Sequence, residues 1–288
     1  MNDMTGRGRV AMVGAGLLLV AAAAGCSGGS ATEVAGPTRS SAASPAGEVA
    51  TASPTLEEYF APISTAMREA GSFRATMLMD GSGLQFETTM LVKLGVDGLA
   101  SMHMRMNQPA SAITQNPADT NDVSIEVIVI DRDLYILMPA EAGLNAPTNW
   151  LSSTLDATDP VSQQLAASVA LMSDEFNYGA LQAEYMPYTT VGASRSEVVN
   201  GVDGTVTELE LALADMLEDL KLPAAGAPEE VLYTVVTDEL SRLASVESDI
   251  GGMGQIVVHY SDYGTTAEIT PPPSGQVSPL ADVLVTGG

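Results

Sequence analysis

The chain has 288 residues, with 36 Asp and Glu against 11 Lys and Arg, two His and one Cys, for a formal charge of −25. That length is ample for one buried core. The acid excess excludes nucleic-acid binding, which needs clustered Lys and Arg, and one cysteine excludes an internal disulfide or a Cys-rich zinc site.

Arg7 and Arg9 precede Val10 to Ala24, an apolar run of 15 residues. A membrane-spanning helix needs roughly 20 residues, so residues 1–25 read as a secretory signal peptide. Ala23-Ala24-Gly25-Cys26 follows. It resembles the bacterial lipobox, in which the thiol receives a diacylglycerol, although Ala23 stands where Leu is usual. Cys26 is the expected lipidation site, and the extracytoplasmic face of the cell membrane the expected location. The alternative, cleavage within the Ala run, leaves a secreted chain with a free thiol. The mature chain from Cys26 has 263 residues and a formal charge of −26. Such a surface is repelled by anionic headgroups, so the lipid must hold it.

Residues 26–53 are the lipidated N-terminus and a tether of Ser, Ala, Gly, Thr and Pro, too poor in large apolar side chains to fold. As a coil it spans about 30 Å, enough to lift a domain clear of the bilayer. A single domain is expected over 54–275. Leu56, Tyr59, Phe60, Ile63, Met67 and Ala70 recur at helical spacing behind Ser53-Pro54 as cap and first-turn proline, and Gly71 ends the helix.

The period then changes to two. Phe73, Ala75, Met77 and Met79 alternate with their neighbours, as do Leu84 to Leu94, with Phe86 and Met90 on the apolar side, and Met102, Met104 and Met106. A polar loop over 107–121 precedes the most hydrophobic strand, Val123 to Ile130, and an acidic turn leads into Leu134 to Met138. Two helices are expected next, over 161–172 and over 174–183. Val161, Leu165, Val169 and Met172 mark one face of the first. Strands resume over 188–199 and 205–214, a short helical piece covers 215–221, and further strands cover 231–237, 242–250 and 254–261. Pro271-Pro272-Pro273 opens an extended C-terminal tail, with 276–288 outside the domain. Nine or ten antiparallel strands around central helices make an α+β domain. A sheet that wide curls, and the amphipathic helices then cover its concave face.

No nucleophile elbow, phosphate loop, zinc-protease motif or EF-hand loop occurs. His103 and His259 fall on the wetted sides of two strands, where a surface histidine is the ordinary reading. Asp131/Asp133 and Asp156/Asp159 flank turns or a helix start, the usual reason for Asp there. No enzymatic activity and no cofactor or metal are expected. The distinctive feature is methionine, flexible and polarisable, on inward positions of three consecutive strands. Phe73, Met77, Met79, Phe86, Met90, Met102, Met104 and Met106, with Val169 and Met172 on the first middle helix, are the candidate lining of a lipid cavity. The competing reading is a core in which Met is filler.

Several stretches carry a resemblance. They are Ala70-Gly-Ser-Phe-Arg-Ala75, Ile128-Val-Ile-Asp-Arg-Asp-Leu-Tyr-Ile136, Asn149-Trp150-Leu151, Val199-Asn-Gly-Val-Asp-Gly-Thr205, and Val257-Val-His-Tyr-Ser-Asp-Tyr-Gly264 before Ile269-Thr-Pro-Pro272. In this order, behind a lipobox and tether, they resemble the LppX/LprAFG lipoproteins of actinobacteria, over residues 54–275. The resemblance implies a half-open antiparallel β-barrel with helices over its concave face, similar to the LolA/LolB carriers. It also implies binding of an acylated lipid or lipoglycan in an apolar cavity, for carriage or presentation in the cell envelope. A membrane-anchored monomer with such a ligand is the expectation. The rival is an anchored adaptor or inhibitor that meets a protein partner through its acidic surface, with no cavity; a hydrolase using His103 and His259 ranks third.

Overall fold

The computed structural model describes residues 54–286 apart from 82–83, 96–97, 112–120, 140–147, 160–161, 164–165, 167–168, 170–185, 200–201, 220, 222–226 and 251–253. Cys26, the signal peptide and the tether lie outside the described residues.

The first element, α1 (Leu56–Ala70), begins two residues later than the expected cap at Ser53 implies. Thr55 is the N-cap instead, because its hydroxyl accepts the Glu58 N–H (3.2 Å) while the Glu58 carboxylate accepts the Thr55 N–H (2.8 Å). That reciprocal pair sets the start. The helix runs on through Pro62, and its last turn closes at Gly71, whose φ of 70° is the left-handed conformation that glycine adopts at no cost. The Gly71 N–H donates to the carbonyls of Met67 and Arg68.

Among the described residues twelve strands follow, more than the nine or ten expected. The first half comprises β1 (Ser72–Gly81), β2 (Leu84–Gly95), β3 (Gly98–Pro109), β4 (Asp122–Ile130), β5 (Asp133–Leu137) and β6 (Trp150–Thr154). The second comprises β7 (Thr189–Val199), β8 (Val202–Leu211), β9 (Val231–Asp238), β10 (Leu243–Asp249), β11 (Gln255–Ser261) and β12 (Val277–Pro279). Two further helices are described over their full length, α2 (Leu213–Asp219) and α3 (Leu280–Thr286). β3 reaches Pro109 because Asn107, Gln108 and Pro109 still pair with Ser124, Val123 and Asp122, so the polar loop starts later than expected. Of the two middle helices, Ser162, Gln163, Ala166 and Val169 are described and helical; the rest lies outside the described residues.

All strands join one sheet in the order β12-β6-β5-β4-β3-β2-β1-β11-β10-β9-β8-β7. β12 and β7 are its two edges and do not pair with each other, which makes a half-open barrel. The curl shows in α1, which packs against both β1 and β7 although four strands separate them in the sheet. One apolar cluster accordingly gathers Ile63 and Met67 of α1, Phe73 of β1, Met102 of β3, Val191 of β7 and Met216 of α2.

Two expectations need correction. The sheet is not wholly antiparallel: β12 runs parallel to β6, with Val277, Ser278 and Pro279 opposite Trp150, Leu151 and Ser152. Residues 276–286 are therefore not a tail beyond the domain. Leu280 and Val283 of α3 are buried against Leu151, an apolar contact that ties the C-terminus to the sheet. To get there, the chain after β11 must pass six strands, a distance of about 30 Å at normal strand spacing, in a 15-residue crossing (262–276). That crossing is the role of the proline-rich stretch. It leaves the middle of the sheet at Ser72, whose hydroxyl donates to the Thr265 carbonyl (2.9 Å).

Candidate functional site

The strand registers decide which side chains share a face, because residues directly opposite each other in a ladder point the same way. Between β1 and β2 the pairs are Phe73 with Val92, Ala75 with Met90, Met77 with Thr88 and Met79 with Phe86. Between β2 and β3 they are Val92 with Met102, Met90 with Met104 and Thr88 with Met106. All eight strand candidates thus lie on one face. The rows continue outward to Val129, Val127 and Ile125 on β4, and to Val258 and Ile256 on β11.

This inner face is graded. Phe73 and Met102 are fully buried, Met77, Phe86 and Met104 nearly so, and Met79, Met90 and Met106 are half-buried. Val169 is buried in the same apolar cluster, whereas Met172 lies outside the described residues. The Phe73 ring sits 5.8 Å from that of Tyr260 and 6.1 Å from that of Tyr263. Burial pushes the Tyr263 hydroxyl well above the usual tyrosine range, and it donates to the Leu243 carbonyl. The Arg242 guanidinium lies over the same ring at 4.6 Å.

Sequence reasoning passed over several members of this face. Tyr59 and Phe60 of α1 pack onto it and meet each other edge to face, with ring centroids 5.0 Å apart. Thr88 sits between Met77 and Met106 with its hydroxyl buried and without a hydrogen-bond partner, and the Gln108 side-chain amide nitrogen farther along β3 is in the same state. The alternation of Phe86, Thr88 and Met90 was the signal that would have placed Thr88 here.

The outer face is wet. His103 (β3) and Arg105 both reach Glu126 (β4), at 3.1 Å and 2.6 Å. Burial pushes the Glu126 carboxyl up, but hydrogen bonds from His103 and Arg105 outweigh it and hold the group below its ordinary value. His259 lies on β11, opposite Thr76 of β1 and Ser245 of β10, with two strands between it and β3. Of the four carboxylates in the Asp131/Asp133 and Asp156/Asp159 pairs, three have a structural place. Asp131 takes a φ of 54° in the β4–β5 turn, Asp156 pairs with Arg132, and Asp159 accepts the Ser162 N–H (2.8 Å). Among the described residues no cluster of three or more His, Cys, Asp or Glu could hold a metal ion, and no helix is long and apolar enough to cross a membrane.

No protein-family model matches the sequence, and no curated protein matches it. Solved structures do. The crystal structure of the Mycobacterium tuberculosis lipoprotein LppX aligns at a TM-score of 0.41 and 13% identity, covering 75% of this chain and 98% of that one. The crystal structure of MucB in complex with MucA(peri) aligns at a TM-score of 0.36 and 11% identity, covering 77% of this chain and 58% of that one.

Proposed function

We propose that the protein is a lipid-anchored carrier that takes an acylated lipid or lipoglycan onto the inner face of its sheet, at the extracytoplasmic surface of the membrane. The observation that carries this reading is the shared face of Phe73, Met77, Met79, Phe86, Met90, Met102, Met104 and Met106. It grades from fully buried to half-buried side chains and offers an apolar surface that unbranched methionines can remould. Each methylene of an acyl chain withdrawn from water there contributes about 0.8 kcal/mol, so two long chains bind tightly without polar recognition. Cys26 supplies the anchor, and the half-open sheet leaves a way in for the chains. The test is native mass spectrometry of the mature chain carrying Cys26→Ser, purified without detergent. Co-purifying acyl lipid, reduced when Met90 and Met106 are both changed to Glu, is the expected result; a ligand-free chain overturns the proposal.

A second reading, an anchored adaptor for a protein partner, draws on the outer face. There Leu78 and Leu232 are exposed, and the registers set them among Glu87, Glu247, Asp80, Asp249 and Glu210. Cross-linking from this face to a basic partner, with no lipid recovered, would favour it.

A further inference from the structure

The outer side of the β5–β6 ladder carries a groove of about 640 Å³ that shares no residue with the inner apolar face. Asp133 and Tyr135 of β5 and Ser152, Ser153 and Thr154 of β6 form its floor. Tyr135 stands opposite Ser152, and its neighbours Leu134 and Ile136 are the side chains buried in the core, so the tyrosine faces the other way. Asp159 and Ser162 also line it, together with Pro271, Pro272 and Ser274 of the 262–276 crossing and Ala281 of α3. The crossing therefore does more than connect: it contributes to a groove in the size range of ligand sites.

The lining argues against two ligand classes. Among the described residues it holds two carboxylates and no Lys, Arg or His, which is wrong for an anion. Its apolar members are Val277, Ala157, Ala281 and three prolines, small or ring-shaped and interspersed with six hydroxyl-bearing residues, which suits an acyl chain less well than the inner face does. An ammonium group would want several aromatic faces, and Tyr135 is the one aromatic ring in the lining. What remains is dense in hydroxyls. Tyr135, Ser152 and Ser274 each bring a hydroxyl to the lining. Flat apolar surfaces lie beside them, in the tyrosine ring and the proline rings.

We propose that this groove is a saccharide-binding site, which takes a neutral pyranose unit of a glycan. A pyranose has the matching two-sided chemistry. Its C–H face packs on Tyr135 and on Pro271 and Pro272, and its hydroxyls donate to the Asp133 carboxylate and exchange hydrogen bonds with Ser152 and Ser274. The site is independent of lipid binding on the opposite face.

Saturation-transfer NMR on the mature chain carrying Cys26→Ser tests this, with maltotriose, mannotriose and chitotriose as probes and tetramethylammonium as the contrast. Saturation of the ring C–H protons of at least one saccharide is expected. Tyr135→Ala should weaken that binding about tenfold, and Tyr135→Phe should retain most of it. Ser274→Trp, an exposed change in the groove lining, should abolish binding while leaving the thermal midpoint unchanged. Three silent saccharides, saturation indifferent to Ser274→Trp, or tetramethylammonium bound in their place would each overturn the proposal.

Discussion

Glu126 meets a histidine and an arginine from the neighbouring strand with one carboxylate whose side chain is only 14% exposed. An ion pair this sheltered is screened less than the outer pairs such as Arg74–Asp262, where both partners are well exposed. Glu126→Gln keeps the shape and removes the charge, and because Arg105 remains solvated it should cost about 0.5–1 kcal/mol at neutral pH. The carboxyl is held below its ordinary value of 4.5 in the folded chain, so its contribution is fully present above that pH. It is lost as pH falls through the folded-state value. Urea midpoints of the wild type and of Glu126→Gln should therefore differ at pH 7 and converge towards pH 3; a gap constant with pH would remove the carboxylate from the explanation. At this scale the candidate face was legible because alternation alone assigns Phe73, Met77 and Met79 to one side. What alternation cannot reveal is depth. Met102 is fully buried and Met106, four residues along the same side of the same strand, only half so, and that difference depends on how much of the face other elements cover.

The helix α1 seats Ile63 and Met67 against the sheet, so its geometry at both ends bears on the inner face. Its exit turns on Gly71 at φ 70°, where an added Cβ would meet nothing within 4 Å. The cost of Gly71→Ala is then conformational and not steric with respect to neighbours, about 1–2 kcal/mol. Gly71→Asn should lose less, because Asn tolerates the left-handed region better. Chemical denaturation of the pair checks this, and equal losses would point to a packing role for the glycine. Helical periodicity and this glycine made α1 readable from sequence, and the period-two runs did the same for β1 to β3. β6 and β12 were not readable. Trp150–Thr154 buries only Leu151, and Val277–Pro279 is three residues long, so neither shows an alternation. Their pairing exists because the crossing over 262–276 delivers the chain to the far edge of the sheet, a long-range event that no local pattern records.

Across the whole molecule, 36 acids face 11 bases, so even complete pairing would leave 25 carboxylates unmatched. The exposed ion pairs, among them Arg195 with Glu197 and Glu208, contribute little, and salt weakens them. Salt also screens the mutual repulsion of the excess carboxylates, which opposes the compact state. Repulsion should win this contest, because acids outnumber bases more than threefold and the registers crowd several carboxylates onto one face. Asp80 and Asp249 flank Gln255 across β1, β11 and β10, while Glu210 of β8 lies beyond Leu232 on the same row. Raising NaCl from about 10 mM to about 500 mM shortens the screening length from about 30 Å to about 4 Å, and the thermal midpoint should rise by roughly 3 °C or more. Changing the exposed Glu210→Lys, at the end of that row, should deliver part of the same gain at low salt and shrink the further response to NaCl. A midpoint that falls with salt would mean that the ion pairs, and not the excess charge, govern the electrostatics of the fold.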